Sequence, residues 1–406
     1  MAHFSTGVRA TAARATGMKL ARFPVTILLS IQLAAMVVIP AMIKGTEPLA
    51  LMTGICAVAV LVALYVELLA RPLRPSRHQA KPVTVVAAFW VLAIGMLATI
   101  VATLGGSGSY AVQLGLAVES PLVSIAAPFT LWILFGTAMV FWLCRSGALP
   151  RSAGYWTLAA VGAMYLWEGL SRAILGQSAA LILTVLILAV FTGLLRLRTI
   201  VIAIALIPLI WPPIYELRDA LRRATATGPG AVSADSPLER LQLDTQMSYI
   251  ARLASRPGGL EAPDIVTLFR IGLVPGFLDP GRPALDTGSR MNVALGGVST
   301  SSQSATMLGN LYIFEGWTGV ILFSLILALV MAFLVRRNNP WALAAIGLVY
   351  SSGMSFNATY PDVIPRVLQG LLSMLVAYGL VRLLSGPRAR AAAADRRARK
   401  QSVSQQ

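Results

Sequence analysis

Histidine is almost missing from this chain, with His3 and His78 the only two in 406 residues. Cysteine is as scarce, at Cys56 and Cys144. A catalytic zinc needs a cluster of histidine, cysteine or carboxylate ligands, and a Ser–His or Cys–His nucleophile needs its imidazole. Neither chemistry has a basis here. No GxxxxGK[ST] phosphate loop and no GxGxxG dinucleotide turn occurs, so ATP and NAD have no visible site. No cofactor and no metal is expected. Charge is short as well: Asp, Glu, Lys and Arg make up 12% of the chain, where a soluble domain carries roughly a quarter.

Apolar runs take the place of charge. The chain is 57% hydrophobic, with a mean hydropathy of +0.74. A helix needs about 20 apolar residues to cross the hydrocarbon of a bilayer. About ten segments qualify, at 24–43, 49–69, 83–104, 121–143, 153–172, 177–195, 199–214, 312–335, 341–358 and 363–384. The expected fold is an all-α polytopic membrane protein, with both termini in the cytoplasm. Its parts are a basic N-terminal arm (1–23), spans one to seven (24–214), a large extracytoplasmic loop with short helices (215–311), spans eight to ten (312–384) and a basic tail (385–406). The apolar run after Arg22 is long enough to span, so it reads as an anchor rather than a cleavable signal.

The formal net charge of +17 is mainly a topology signal. Basic residues gather in the segments assigned to the cytoplasm: Arg9, Arg14, Lys19 and Arg22, then Arg71, Arg74, Arg77 and Lys81, then the tail from Arg382 to Lys400. The short outer loops keep only Lys44, Arg172 and Arg366. That asymmetry is the positive-inside rule, and nucleic acid is not an expected partner. Both histidines fall on the cytoplasmic side. Cys56 and Cys144 lie at different depths, too far apart to bridge.

The loop at 215–311 is densely charged yet balanced. Within it, "SADSPLERLQLDTQMSYIARLAS" and "PDIVTLFRIGLV" have helical spacing, and "GGVSTSSQSAT" reads as irregular chain. Without histidine, the outer face is left with arginine, carboxylate, tyrosine and amide chemistry. Arginine's planar fork grips phosphate and stays charged in a dry site.

Three places combine these groups. Arg270, Arg282 and Arg290 accompany Asp279 and Asp286 in "FRIGLVPGFLDPGRPALDTGSRM", either as internal ion pairs of a solvated loop or as a binding site. Glu168 and Arg172, four apart near the outer end of span five, form either a local ion pair or a phosphate-facing arginine. Tyr360, Asp362 and Arg366 open span ten, as interfacial anchors or as substrate contacts.

The stretch "LVPGFLDPGRPALDTGSRM", followed by "LGNLYIFEGWTGVILFSLILAL", resembles the Wzy-type oligosaccharide repeat-unit polymerases of the O-antigen polymerase and ligase group. The residues that carry it are Pro275, Asp279, Arg282 and Pro283, then Gly309, Leu311, Tyr312, Glu315, Gly316 and Gly319. About ten spans with one late outer loop match that family's layout. Two features depart from it. The ligases of the group place a histidine where this chain has "QSATM", which favours polymerisation over ligation. Glu315 stands where an aromatic is commoner, and it supplies a carboxylate.

The resemblance implies a polymerase architecture like that of GT-C glycosyltransferases, in the cytoplasmic membrane with its site facing outward. It implies a metal-independent glycosyl transfer between polyprenyl-pyrophosphate-linked glycans. Arg282 and Arg290, with Arg270 or Arg366, would clamp the pyrophosphate, with Arg172 and Tyr312 as further contacts. Asp286 or Glu315 would be the base. Membrane lipid and a chain-length regulator are the other partners implied. A polyprenyl-phosphate-sugar glycosyltransferase and a lipid-linked oligosaccharide transporter are the rival readings. The first outer loop, "KGTEPLA", carries Glu47 alone, and no repeated halves are visible.

Overall fold

The computed structural model describes residues 22–34, 38, 50–70, 84–113, 115–173, 175–225, 253, 264–274, 278–279, 281, 287–294, 296, 306–337, 339–353 and 360–403. Among them every regular element is a helix. The helices are α1 (Pro24–Leu33), α2 (Ala50–Leu69), α3 (Val85–Leu104), the single turn α4 (Tyr110–Gln113), α5 (Pro121–Thr130), α6 (Trp132–Ser146), α7 (Arg151–Arg172) and α8 (Leu175–Phe191). After these come α9 (Leu197–Thr225), α10 (Ile265–Leu273), α11 (Thr287–Ala294), α12 (Thr306–Arg337), α13 (Pro340–Gly353) and α14 (Tyr360–Val403).

By length and composition, five stretches can cross a membrane: Ala50–Leu69, Val85–Leu104, Pro121–Ser146, Thr306–Arg337 and Pro361–Leu384. Gln177–Phe191 and Pro340–Ser352 are apolar but shorter. This is a multi-pass helical membrane protein, with fewer unambiguous spans among the described residues than the ten that hydropathy suggests. The differences have local causes. Only the first half of the 24–43 run falls within the described residues. Helix α7 is long enough, but it mixes Gly, Tyr and Trp among its apolar residues and ends on Glu168 and Arg172. At 14 residues, α13 is only about 21 Å long. Pro212 and Pro213 do not end α9, which runs on to Thr225. Helix α14 likewise continues through the expected tail to Val403.

Small residues let the helices meet. A Cβ on Gly136 would lie 2.5 Å from the Leu92 backbone nitrogen, and one on Gly95 would strike the backbone of Trp132 and Ile133. Helices α3 and α6 therefore touch backbone to backbone, the usual device where lipid offers no hydrophobic drive for association. Helix α13 sits at the centre, packed on α6, α8, α12 and α14. Residues 342–348 are buried without interruption. A Cβ on Gly347 would lie 3.1 Å from the side chains of Leu134 and Leu188, and Gly370 of α14 closes over Leu348.

Buried polar contacts pin the bundle. Pro128 interrupts the α5–α6 segment, and its carbonyl accepts from Ser373 Oγ at 2.5 Å, while Trp132 Nε1 donates to that same Oγ at 2.9 Å. Glu67 closes the start of α1, accepting from the backbone N–H of Val25 at 2.7 Å and of Thr26 at 3.3 Å. A free helix N-terminus leaves such donors unpaired, so a buried carboxylate there satisfies both sides.

Several contacts near helix ends fall into two sets. Arg145 donates to the Phe191 carbonyl, Tyr155 to the Leu194 carbonyl, and Trp341 stacks edge-on against Tyr378. At the opposite end, Arg222 reaches Ala173 and Tyr110, and Gln369 donates to the Ile271 carbonyl. Tyr350, in the last turn of α13, falls outside this division: its hydroxyl donates to the carbonyl of Pro24 at the start of α1 at 3.2 Å, and its ring lies 6.3 Å from that of Phe191 at the end of α8.

Candidate functional site

The end that carries Arg222 and Ile271 also carries most of the predicted site residues that can be located. Helix α10 starts where expected from "PDIVTLFRIGLV". Asp264 caps it, accepting from the Thr267 backbone N–H at 2.9 Å and from the Thr267 hydroxyl at 2.6 Å. Those two bonds, the hydroxyl's first, hold the Asp264 carboxyl below the usual carboxylate range. The helix then lies across the start of α14. Gly272 is required there, since a Cβ would meet Leu368 at 2.8 Å and Pro365 at 3.0 Å. Gln369 Nε2 donates to the Ile271 carbonyl at 3.0 Å.

Arg270 projects from α10 and is held by Asp279. Its Nε and Nη2 each donate to one oxygen of that carboxylate at 2.6 Å. This is the internal ion pair, not an open fork. The hydrogen bonds and charge of Asp279 push the guanidinium pKa still higher. Half of the Arg270 side chain remains exposed, at 52%, against 12% for Asp279. Arg366, next to the Pro365 that touches Gly272, is exposed and pairs with no carboxylate among the described residues. The structure thus brings Arg270 and Arg366 onto adjoining helices, one neutralised and one open.

A second arginine group forms where α7, α4 and α9 meet. Arg172 Nη1 contacts Glu168 Oε1 at 2.9 Å, with side-chain exposures of 13% and 9%. Arg172 Nε and Glu168 Oε2 are buried without a hydrogen-bond partner. One residue on, Ala173 ends α7 in the left-handed region with φ 55°. Arg222 lies over the Tyr110 ring at 4.4 Å. Arg218 stacks over Tyr215 at 3.5 Å and donates to Asp219 Oδ1 through Nε at 3.0 Å and Nη2 at 2.5 Å.

Sequence reasoning missed Arg218, Asp219 and Arg222 as a group. Their signal was the spacing 215, 218, 219 and 222, one face of a helix. The span boundary expected at 214 hid it, because α9 runs on to Thr225.

The third element is the entry into α12. Gly316 has φ 62° and ψ −156°, a conformation close to glycine-only. It bends the helix between residues 306–315 and 317–337. No atom stands within 4 Å of a Cβ built on Gly316, so its purpose is the bend and not the close approach of another helix. A Cβ on Gly319 would collide with the Glu315 side chain and lie 3.2 Å from the Leu311 carbonyl. Glu315 itself is exposed, and Tyr312 packs edge-on against Trp317 at 5.1 Å. Arg290 is exposed on α11, whose Met291 and Asn292 are buried. Arg282, Asp286 and the stretch "SADSPLERLQLDTQMSYIARLAS", apart from buried Leu253, lie outside the described residues.

Taken together, helix ends of the bundle hold arginines whose forks are engaged by carboxylates or by a backbone carbonyl, with exposed Arg366 beside them. Such a surface can bind phosphate and stabilise developing negative charge. Among the described residues no group of three or more His, Cys, Asp or Glu side chains could hold a metal ion, and both cysteines are free. No protein-family model matches the chain, and neither the curated proteins nor the solved structures contain one that is similar to it.

Proposed function

We propose that this protein polymerises polyprenyl-pyrophosphate-linked oligosaccharide repeat units into a surface polysaccharide, on the outer face of the cytoplasmic membrane. The observation that carries the reading is a pair of arginine groups on an otherwise apolar helical bundle, Arg172 with Arg218 and Arg222 in one and Arg270 with Arg366 in the other. A bundle of about ten spans with a GT-C-like layout and cytoplasmic termini is the architecture this function calls for.

In the proposed reaction a hydroxyl of the acceptor glycan attacks the anomeric carbon of the donor. The bond from that carbon to the pyrophosphate oxygen breaks, and polyprenyl pyrophosphate departs with the electron pair. Arginines facing the pyrophosphate stabilise that charge as it forms. The proton of the attacking hydroxyl passes to a carboxylate, Asp286 or Glu315. Arg282, Arg290 and Tyr312 complete the proposed substrate contacts.

The purified protein, incubated with lipid-linked repeat units extracted from its source membranes, is the direct test. Ladders of longer glycan formed without nucleotide or ion gradient are expected. Transfer of intact repeat units across a vesicle, with no lengthening, would instead identify a transporter and sink the proposal.

A further inference from the structure

Helix α10 is apolar on two sides. Leu268, Ile271 and Gly272 are buried and include the face on α14. Ile265, Val266, Phe269 and Leu273 are not: their exposures are 52%, 73%, 44% and 46%, and Leu278 beyond the helix is exposed by 66%. Positions 265, 266, 269 and 273 form one stripe along the helix. A loop helix standing in water would carry polar residues there, since exposing so continuous an apolar stripe to water is costly.

The surroundings say what covers it. Helix α14, on which α10 lies at Pro365 and Leu368, holds the candidate span Pro361–Leu384. Over its next turns α14 exposes Leu371, Leu372, Leu375 and Val376, the kind of surface a span shows to acyl chains. The exposed stripe of α10 therefore stands at the head of a lipid-facing surface. Polar groups mark its margin: Asp264 caps the first turn, and the Arg270–Asp279 pair sits beside Phe269.

We infer that α10 lies in the membrane interface, with Val266, Phe269 and Leu273 set among the acyl chains of the leaflet at that end and Arg270 at headgroup level. The lipid surface is its partner. The helix then fixes the depth of Arg270 and Arg366 relative to lipid phosphates. This inference does not depend on glycosyl transfer, and its test measures no sugar product.

The test uses the full chain with Cys144→Ser, nitroxide-labelled at Val266→Cys or Phe269→Cys and reconstituted in vesicles of phosphatidylethanolamine and phosphatidylglycerol. Leu375→Cys serves as the lipid reference and exposed Gly281→Cys as the water reference. Buried Cys56 stays in place, and its background is read from the chain without an added cysteine. Relaxation by oxygen should exceed relaxation by a water-soluble nickel chelate at positions 266 and 269, as at 375. A chelate-dominated response like that of position 281 overturns the inference. Shielding from both reagents, as a protein partner or second copy would give, overturns it too.

Discussion

The Arg222 guanidinium donates twice to the Ala173 carbonyl, from Nε at 3.2 Å and from Nη2 at 2.9 Å. One side chain thus closes the end of α7 from the far end of α9, while its face lies on the Tyr110 ring. Lysine keeps the charge but has neither the fork nor the flat face. Arg222→Lys should lower thermal stability in detergent, and Arg222→Ala should cost about 1.5–3 kcal/mol, the range for a hydrogen bond to a charged group. A melting curve unchanged by both would show that this bond contributes nothing.

The Glu168–Arg172 pair has a different energetic signature. Both side chains are largely buried, so removing one partner strands the other's charge. Arg172→Leu should cost about 3–5 kcal/mol, while Glu168→Leu with Arg172→Leu should recover most of that stability. A double-mutant cycle of melting temperatures measures this. If the double variant is stable yet makes no polymer, Arg172 also serves the substrate; normal polymer would leave it a purely structural residue.

Arg270 and Arg366 should separate in the proposed polymerisation assay. Asp279 already occupies the fork of Arg270, whereas Arg366 pairs with no carboxylate among the described residues. Arg366→Gln should slow glycan lengthening roughly tenfold or more, as expected when the transition state is deprived of one charged hydrogen bond. Arg270→Gln should do less. The reverse order would remove Arg366 from the clamp.

Two glycines should fail for opposite reasons. Gly316→Ala meets no neighbour but forces alanine into a backbone region it avoids, at a cost of about 1–3 kcal/mol. Gly136→Ala keeps ordinary helical torsions but drives a methyl group against the Leu92 backbone. Replacing Leu92 by alanine should not rescue it, because the clash includes main-chain atoms. Thermal melting of the single and paired variants distinguishes the two causes.

The cap on α10 sets a pH dependence. Asp264 is held below the normal carboxylate range by Thr267. Its stabilising effect is therefore complete above the unfolded carboxyl's pKa, near 3.9, and is lost only as pH falls through the lower folded value. A nitroxide at position 269 should show the same mobility at pH 7 and pH 5, and greater mobility at both in Asp264→Ala. Loosening between pH 7 and pH 5 in the parent chain would contradict the cap.

Much of this arrangement was legible because charge is rare here. Several helix ends carry one of the few arginines or carboxylates, and Glu168 with Arg172 could be picked out by spacing alone. What was not legible follows from the solvent. In α2, Met52, Ile55, Ala59, Ala63 and Val66 face inward while Leu61, Tyr65, Leu68 and Leu69 face out. Both faces are apolar, so the pattern that reveals a buried face in water is silent in lipid. The bend at Gly316 was hidden for another reason. A glycine near another glycine reads as a packing seam, and only torsion angles tell the two uses apart. The Arg222 group was obscured by the span boundary expected at 214, inside a helix that runs on to Thr225.

The enclosure of α13 has a consequence for how such a chain is made. Its cover on one side, α14, is the last of these helices to leave the ribosome. Until Gly370 settles over Leu348, the innermost rod of the bundle stands bare along one flank. A chain stopped before Tyr360 keeps most of its spans yet shows membrane proteases a helix rich in alanine, glycine and serine. Its half-life in the cell should fall well below that of the chain with α14 in place.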